Sequence, residues 1–298
     1  MKIAIMGAGA VGGYFGAMLA RAGHDVVLIA RPQHVEAIAR QGGLMIEARD
    51  FHGVVPLRAT ADPSGVEGAE LVLFCVKSGD TQEAGRSIAP HLASGATVLC
   101  LQNGVDNAER LQATIKQPAV PAAVYVAAEM AGPGHINHRG RGELIIGASP
   151  ASADIAACLS AASIPTHVSD RVMDDLWTKL VMNCALNALS AVAQLPYGRV
   201  IEVEGVSSVI RNVVDECTAV AAALGISVPK DAYDKVLALP STMPEQFSST
   251  AQDLARGKPS EIDYLNGYVA RKGAELSIPA PANLALQVMV KLCEAAAR

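Results

Sequence analysis

A chain of 298 residues, 51% of them apolar, is long enough to build two domains with substantial cores. A formal net charge of −5 with dispersed Lys and Arg excludes a general nucleic-acid binder, since no basic stripe is available to displace counterions. The six cysteines, Cys75, Cys100, Cys158, Cys184, Cys217 and Cys293, show no metal-type spacing and mostly stand in apolar runs. They read as buried free thiols in a reducing, cytoplasmic compartment.

In chain order, Lys2-Ile3-Ala4-Ile5-Met6 is a short apolar strand running straight into Gly7-Ala8-Gly9-Ala10-Val11-Gly12 and an alanine-rich helix. The strand, glycine turn and helix together turn a weak motif into a strong indication of dinucleotide binding. Gly7 permits the tight turn, Gly9 lets backbone approach a pyrophosphate, and Gly12 lets the helix lie close to its strand, with helix N–H groups aimed at phosphate. The opening Lys2 with apolar residues is not an export signal, because the run breaks at the glycines.

Ala22-Gly23 stops the helix, and His24–Ala30 is a second apolar strand. A site for NAD usually carries Asp or Glu at the end of this strand, whereas here Ala30-Arg31-Pro32 follows. The guanidinium of Arg31 suits a ribose 2′-phosphate, so NADP(H) is expected rather than NAD(H). Strand-like runs recur at Leu71–Val76, Thr97–Leu101 and Ala123–Ala128 with helical stretches between them, the alternation of a parallel sheet covered by helices. Lys77 and Asn103 stand just beyond two of these strands, where open parallel sheets bind ligands. Gly132-Pro133-Gly134 introduces an extended or hairpin segment, His135–Ile146. His135 and His138 lack further ligands, and no metal site is expected. Ser152-Ala153-Asp154 opens another helix.

After Val168 helical patterning takes over, which sets the expected domains at 1–168 and 169–298. Asp170–Ala193 is a helix apolar on nearly every face, hence buried. Leu180–Gly198 has no charge and approaches membrane-spanning length, but Asn183, Asn187, Ser190, Gln194 and Pro196 mark a core helix and not a membrane span. Lys179, Asn183 and Asn187, spaced by four, share one face. An amide buried without a partner costs about 1–3 kcal/mol and an ammonium more, so this line reads as a wall for a small, oxygen-rich substrate. A structural alternative pairs Lys179 with Asp175 and the asparagines with neighbouring helices. Ser248-Ser249 opens a further helix, and Glu261–Tyr268 begins another; serine caps and a dipole-favoured Glu261 would explain both without a ligand.

These pieces resemble the ketopantoate reductases (2-dehydropantoate 2-reductases) over nearly the whole chain: Gly7–Gly12, Arg31, Lys77, Leu101-Gln102-Asn103-Gly104, Trp177–Asn187, Ser248-Ser249 with Gln252-Asp253, and Glu261–Gly267. The resemblance implies an α/β fold, with an N-terminal Rossmann-type doubly wound parallel sheet followed by an all-helical C-terminal domain, NADPH and substrate lying in the cleft between the two. It implies Lys179 as proton donor, with Asn103, Asn183, Asn187 and Ser249 holding substrate. Lys77, Asn103, Glu261 and backbone near Ala128 would serve the cofactor alongside Gly7, Ala8, Gly9, Ala10, Val11, Gly12 and Arg31. Glu261 would also orient Lys179. One departure is Pro196-Tyr197-Gly198, where the family often has an asparagine in the turn as a further substrate contact.

The expected activity is NADPH-dependent reduction of a branched 2-oxo acid, ketopantoate to pantoate on the route to pantothenate and coenzyme A. Other readings are a related 2-oxo acid reductase or hydroxy-acid or sugar-acid dehydrogenase, and a binding protein that senses NADP(H). The expected partner is a small 2-oxo acid, with no nucleic acid and no membrane; assembly is left open, a homodimer included.

Overall fold

The computed structural model describes residues 1–296. The chain divides into two compact units, Met1–Val172 and a second that begins at Met173.

The first unit is built on ten strands: β1 (Lys2–Met6), β2 (Asp25–Ile29), β3 (Leu44–Ala48), β4 (Phe51–Val55), β5 (Arg58–Thr60), β6 (Leu71–Phe74), β7 (Thr97–Cys100), β8 (Ala119–Gly132), β9 (His135–Gly147) and β10 (Thr166–Ser169). Its helices are α1 (Ala10–Arg21), α2 (Pro32–Gln41), α3 (Thr81–Ile88), α4 (Asn107–Ile115) and α5 (Ser152–Ala161). The strands run β4-β3-β9-β8-β7-β6-β1-β2-β5, with β10 beside β9. Within this sheet β5-β2-β1-β6-β7-β8 are mutually parallel. Counted in chain order they stand 3-2-1-4-5-6, the doubly wound arrangement of a Rossmann domain.

The apolar runs are continuous because both sheet faces are covered. Ile3, Ile5, Leu71 and Leu73 enter one core with Phe15 and Leu19, while Ala4, Val72 and Phe74 enter another with Ile88 and Leu111. The strands after Phe74 and Cys100 end earlier than the apolar runs Leu71–Val76 and Thr97–Leu101 suggest, since Cys75, Val76 and Leu101 already belong to the turns at the sheet's carboxyl edge. Conversely, β8 starts four residues before Ala123 and continues antiparallel to β9.

In the second unit the described elements are helical: α6 (Val172–Ala193), α7 (Tyr197–Ile201), α8 (Val206–Ala223), α9 (Ala232–Thr242), α10 (Ser249–Ala255), α11 (Asn266–Glu275), α12 (Pro281–Ala296) and a 3-10 turn at Ile262–Tyr264. α6 is long and apolar enough to cross a bilayer by length and composition alone, yet most of its apolar window is buried inside the protein. Trp177, Val181, Cys184, Ala185, Leu186 and Ala188 are all inaccessible. It is the core helix of its unit.

Candidate functional site

The glycine turn is held by its neighbours. The Gly7 and Ala8 amides both donate to the Ile29 carbonyl, at 3.1 and 3.0 Å, and the Gly9 amide donates to Gly7 O at 2.8 Å. Gly7 has φ +90°, and a Cβ there would lie 2.7 Å from the Val76 nitrogen, so only glycine fits. At Gly12 a Cβ would meet Gly7 O at 2.7 Å and Ile5 Cγ2 at 2.9 Å. Gly9 differs: a Cβ would find no protein atom within 4 Å. Gly9 is also the N-cap of α1 and supplies no side-chain cap. The amides of Ala10, Val11 and Gly12, in the first turn, therefore have no intrahelical acceptor and carry the positive end of the helix dipole.

Arg31 lies two residues beyond Ile29, at the N-cap of α2. It is exposed and makes no ion pair among the described residues. On the other side of β1, Lys77 follows the Val76 that packs on Gly7; it is exposed and leads into the short turn Ser78–Asp80. Asn103 follows β7, and its carbonyl accepts from Ser78 Oγ (2.9 Å) and Asn107 Nδ2 (2.6 Å).

Sequence reasoning passed over the group that fixes these two loops. Ser78, Thr81, Gln102 and Asn107 are buried polar residues. The single Thr81 O–H lies between two acceptors, Ser78 O at 3.0 Å and Asn107 Oδ1 at 3.1 Å, while Gln102 Nε2 donates to Thr81 Oγ1 and Asn107 Nδ2 donates to Ser78 Oγ. The signal was the polar residue directly after each apolar run, read for its end position and not for its partners. The glycine turn, Arg31, Lys77 and Asn103 thus come together at the carboxyl edge of adjacent strands β2, β1, β6 and β7. Ala128 lies further along β8, at a register irregularity opposite His138 and beyond the Ala119–Pro121 stretch that pairs with β7, and it packs against the same core as Val11 of the glycine turn.

Two features remain structural. His138 on β9 stacks on Tyr14 of α1 with centroids 4.0 Å apart, and His135 Nε2 is 3.2 Å from Glu47 Oε1 on β3, so both rings pack between β9 and its neighbours. Burial pushes the Cys75 and Cys100 thiols up, Cys100 to about 12, so neither is a nucleophile at neutral pH.

In the second unit, Lys179 and Asn183 are half-buried and Asn187 is 3% exposed. Asn183 makes no side-chain hydrogen bond among the described residues. Asn187 Oδ1 accepts from the Tyr197 hydroxyl at 3.0 Å, and among the described residues no protein group accepts from its amide nitrogen. Ser248 caps α10 by accepting from the Ala251 amide and donates to the Asn187 carbonyl, each at 3.0 Å. Ser249, the exposed first residue of α10, is thereby tied to the Asn187 end of the polar line.

Glu261 is 8% exposed and precedes the 3-10 turn. Its segment is pinned to α12. Ser260 donates from N and Oγ to Glu294 Oε1 at 2.8 and 2.7 Å, and Asp263 accepts from Gln287 (2.7 Å) and Lys291 (2.9 Å).

Burial pushes the Asp263 carboxyl up, but the bonds from Lys291 and Gln287 prevail and hold it below its ordinary value. A depressed folded value makes its stabilisation complete at neutral pH and lost as acidification passes through the carboxylate range, below about pH 4. Because Asp263 and Lys291 are 40% and 48% exposed, Asp263→Asn is expected to lower unfolding free energy by only about 0.5 kcal/mol at pH 7. Near pH 2 the loss should vanish; urea unfolding at the two pH values checks it.

Comparison with known proteins completes the picture. Residues 3–151 match the family model for ketopantoate reductase PanE/ApbA, and residues 171–294 match that for its C-terminal part. The chain is 33% identical to 2-dehydropantoate 2-reductase of Pyrococcus abyssi, covering 99% of this chain and 98% of the relative. A PanE/ApbA family ketopantoate reductase from Ralstonia eutropha JMP134 is 56% identical over 100% of this chain and 99% of its own, with a TM-score of 0.97. D-mandelate dehydrogenase, solved with NADH and anilino(oxo)acetate, is 25% identical over 100% and 99%, with a TM-score of 0.94. With the two family models matching residues 3–151 and 171–294 and a relative 33% identical over nearly its whole length, the chain belongs to the ketopantoate reductase family.

Proposed function

We propose that this protein reduces 2-dehydropantoate to pantoate with NADPH, a step toward pantothenate. The observation that carries the reading is the α6 line of Lys179, Asn183 and Asn187, in which two amides on one face donate to no described protein group. Both nitrogens are thereby left available to a ligand that accepts from them. A 2-oxo acid offers only acceptors in its carboxylate and carbonyl.

The first unit fits a dinucleotide. The open space at Gly9, the three first-turn amides of α1 and the exposed Arg31 suit a pyrophosphate and a 2′-phosphate. Lys77 and Asn103, braced by the Ser78–Asn107 network, complete this side. Bound NADPH supplies the hydride that reduces C2 of the oxo acid. Lys179 holds a proton for the carbonyl oxygen and delivers it as that oxygen becomes anionic, giving the 2-hydroxy acid. Asn183, Asn187 and Ser249 hold the substrate, and buried Glu261 serves the cofactor side and orients Lys179.

The test is consumption of NADPH and of NADH with ketopantoate and a panel of other 2-oxo acids. Ketopantoate with NADPH should give the highest kcat/KM; no turnover of any 2-oxo acid overturns the reading. The likeness to D-mandelate dehydrogenase favours a second reading, an NADH-linked 2-hydroxy acid dehydrogenase. Preference for NADH and an aryl oxo acid in the same panel would establish it.

Arg31→Ala separates the cofactors. Loss of a charge-assisted phosphate contact is expected to raise KM for NADPH by about 10–100-fold, with KM for NADH within about threefold. Equal effects on both would remove Arg31 from the 2′-phosphate.

A further inference from the structure

The turn after α6 carries Tyr197, and its hydroxyl does not stand free. Tyr197 is 9% exposed, and its O–H donates to Asn187 Oδ1 across 3.0 Å. Both residues are braced by backbone bonds. The Tyr197 and Gly198 amides donate to Gln246 O and Pro244 O, each at 2.9 Å. Ser248 Oγ donates to Asn187 O, Ser190 Oγ donates to Leu195 O at 2.8 Å, and the Ser248 amide donates to Ser190 Oγ at 3.2 Å. The end of α6, the Leu195–Gly198 turn and the 244–248 segment are one hydrogen-bonded unit, with the phenol wedged inside it.

An unrestrained asparagine can turn either its oxygen or its nitrogen toward a ligand. Asn187 is held in one of the two: its oxygen faces the Tyr197 hydroxyl and accepts from it at 3.0 Å, which leaves the nitrogen as the group that can reach a ligand, and no described residue accepts from that nitrogen.

We propose that Tyr197 is a positioning residue that locks Asn187 as a donor-only contact, selecting a substrate that presents a carboxylate or carbonyl oxygen at that point. This inference rests on the 2-oxo acid reading above and adds a residue to it. Tyr197 is too engaged to touch substrate itself, so its effect is exerted wholly through Asn187. Removing the hydroxyl frees the amide to rotate and costs binding of the acceptor, while the proton donor two turns earlier is untouched.

The experiment compares wild type, Tyr197→Phe, Asn187→Ala and the double variant in steady-state kinetics with NADPH and the best 2-oxo acid of the panel, with thermal unfolding as the check on fold. Tyr197→Phe should raise KM for the oxo acid about tenfold with kcat and KM for NADPH within about twofold. Asn187→Ala should raise it at least as much, and the double variant should be no worse than Asn187→Ala, because the two residues act as one. A hydroxyl that merely braces the fold would depress both backgrounds equally. Multiplying effects, or an unchanged KM in Tyr197→Phe with an active wild type, overturn the inference and leave the 2-oxo acid reading standing. A wild type that reduces no 2-oxo acid overturns both.

Discussion

Lys179→Ala is expected to cut kcat for oxo acid reduction by about 10²–10⁴-fold, the range ascribed to general acid catalysis, while the Kd for NADPH stays within about twofold. The loss corresponds to roughly 2.7–5.5 kcal/mol of activation free energy. Hydride addition puts negative charge on the carbonyl oxygen, and a cation aimed at that atom is worth more in the transition state than in the ground state. The effect should therefore fall on kcat and on kcat/KM alike, unlike the KM effect assigned to Tyr197. Lys179→Arg should not restore turnover, because guanidinium keeps its charge but does not release its proton. Stopped-flow measurement of the first turnover separates this step from product release. Near-normal single-turnover rates in Lys179→Ala would remove Lys179 from proton transfer and leave the asparagines as binding groups only.

How far the residues announced this arrangement depends on whether the cause is local. The β1–α1 junction was legible because strand period, glycine turn and helix follow one another within a single stretch of chain. The same holds for α1 ending at Arg21, with Gly23 at φ +87° after it, and for Ser248 as the cap of α10. The β3–β4 hairpin and the short β5 were not legible: Leu44–Ala48 and Phe51–Val55 carry mixed burial, and β3 is a strand because β9 pairs with it from about ninety positions away. The Lys179–Asn187 spacing was visible, since four-residue steps define a helix face. Its meaning was only half visible. That Tyr197 satisfies one end of Asn187 and Ser248 its carbonyl follows from how α7 and α10 return to α6, and no periodicity encodes that return. The Ser78–Thr81–Gln102–Asn107 network was hidden for the same reason, as it joins turns after two different strands.

The glycine turn allows binding and folding to be separated by a single methyl group. Gly12→Ala is expected to destabilise the protein by about 1–3 kcal/mol, because its Cβ would press on Gly7 O at 2.7 Å and Ile5 Cγ2 at 2.9 Å, where backbone and a buried strand cannot yield. Unfolding temperature should fall by roughly 2–4 °C for each kcal/mol, and the loss of cofactor affinity would be a by-product of a displaced helix. Gly9→Ala should behave oppositely. Its φ of −81° and ψ of −153° suit an L-residue, and no protein atom lies within 4 Å of the new Cβ, so the variant should be as stable as wild type or gain about 0.4–1 kcal/mol through a less flexible unfolded chain. The methyl instead fills the space through which backbone would approach a pyrophosphate, and the Kd for NADPH is expected to rise by at least about tenfold. Calorimetry of both variants, with and without NADPH, reads the two effects independently. Gly9→Ala that binds NADPH as tightly as wild type would mean that the open face of this turn is not where the phosphates rest, and the assignment of Arg31 to a 2′-phosphate two residues past Ile29 would fall with it.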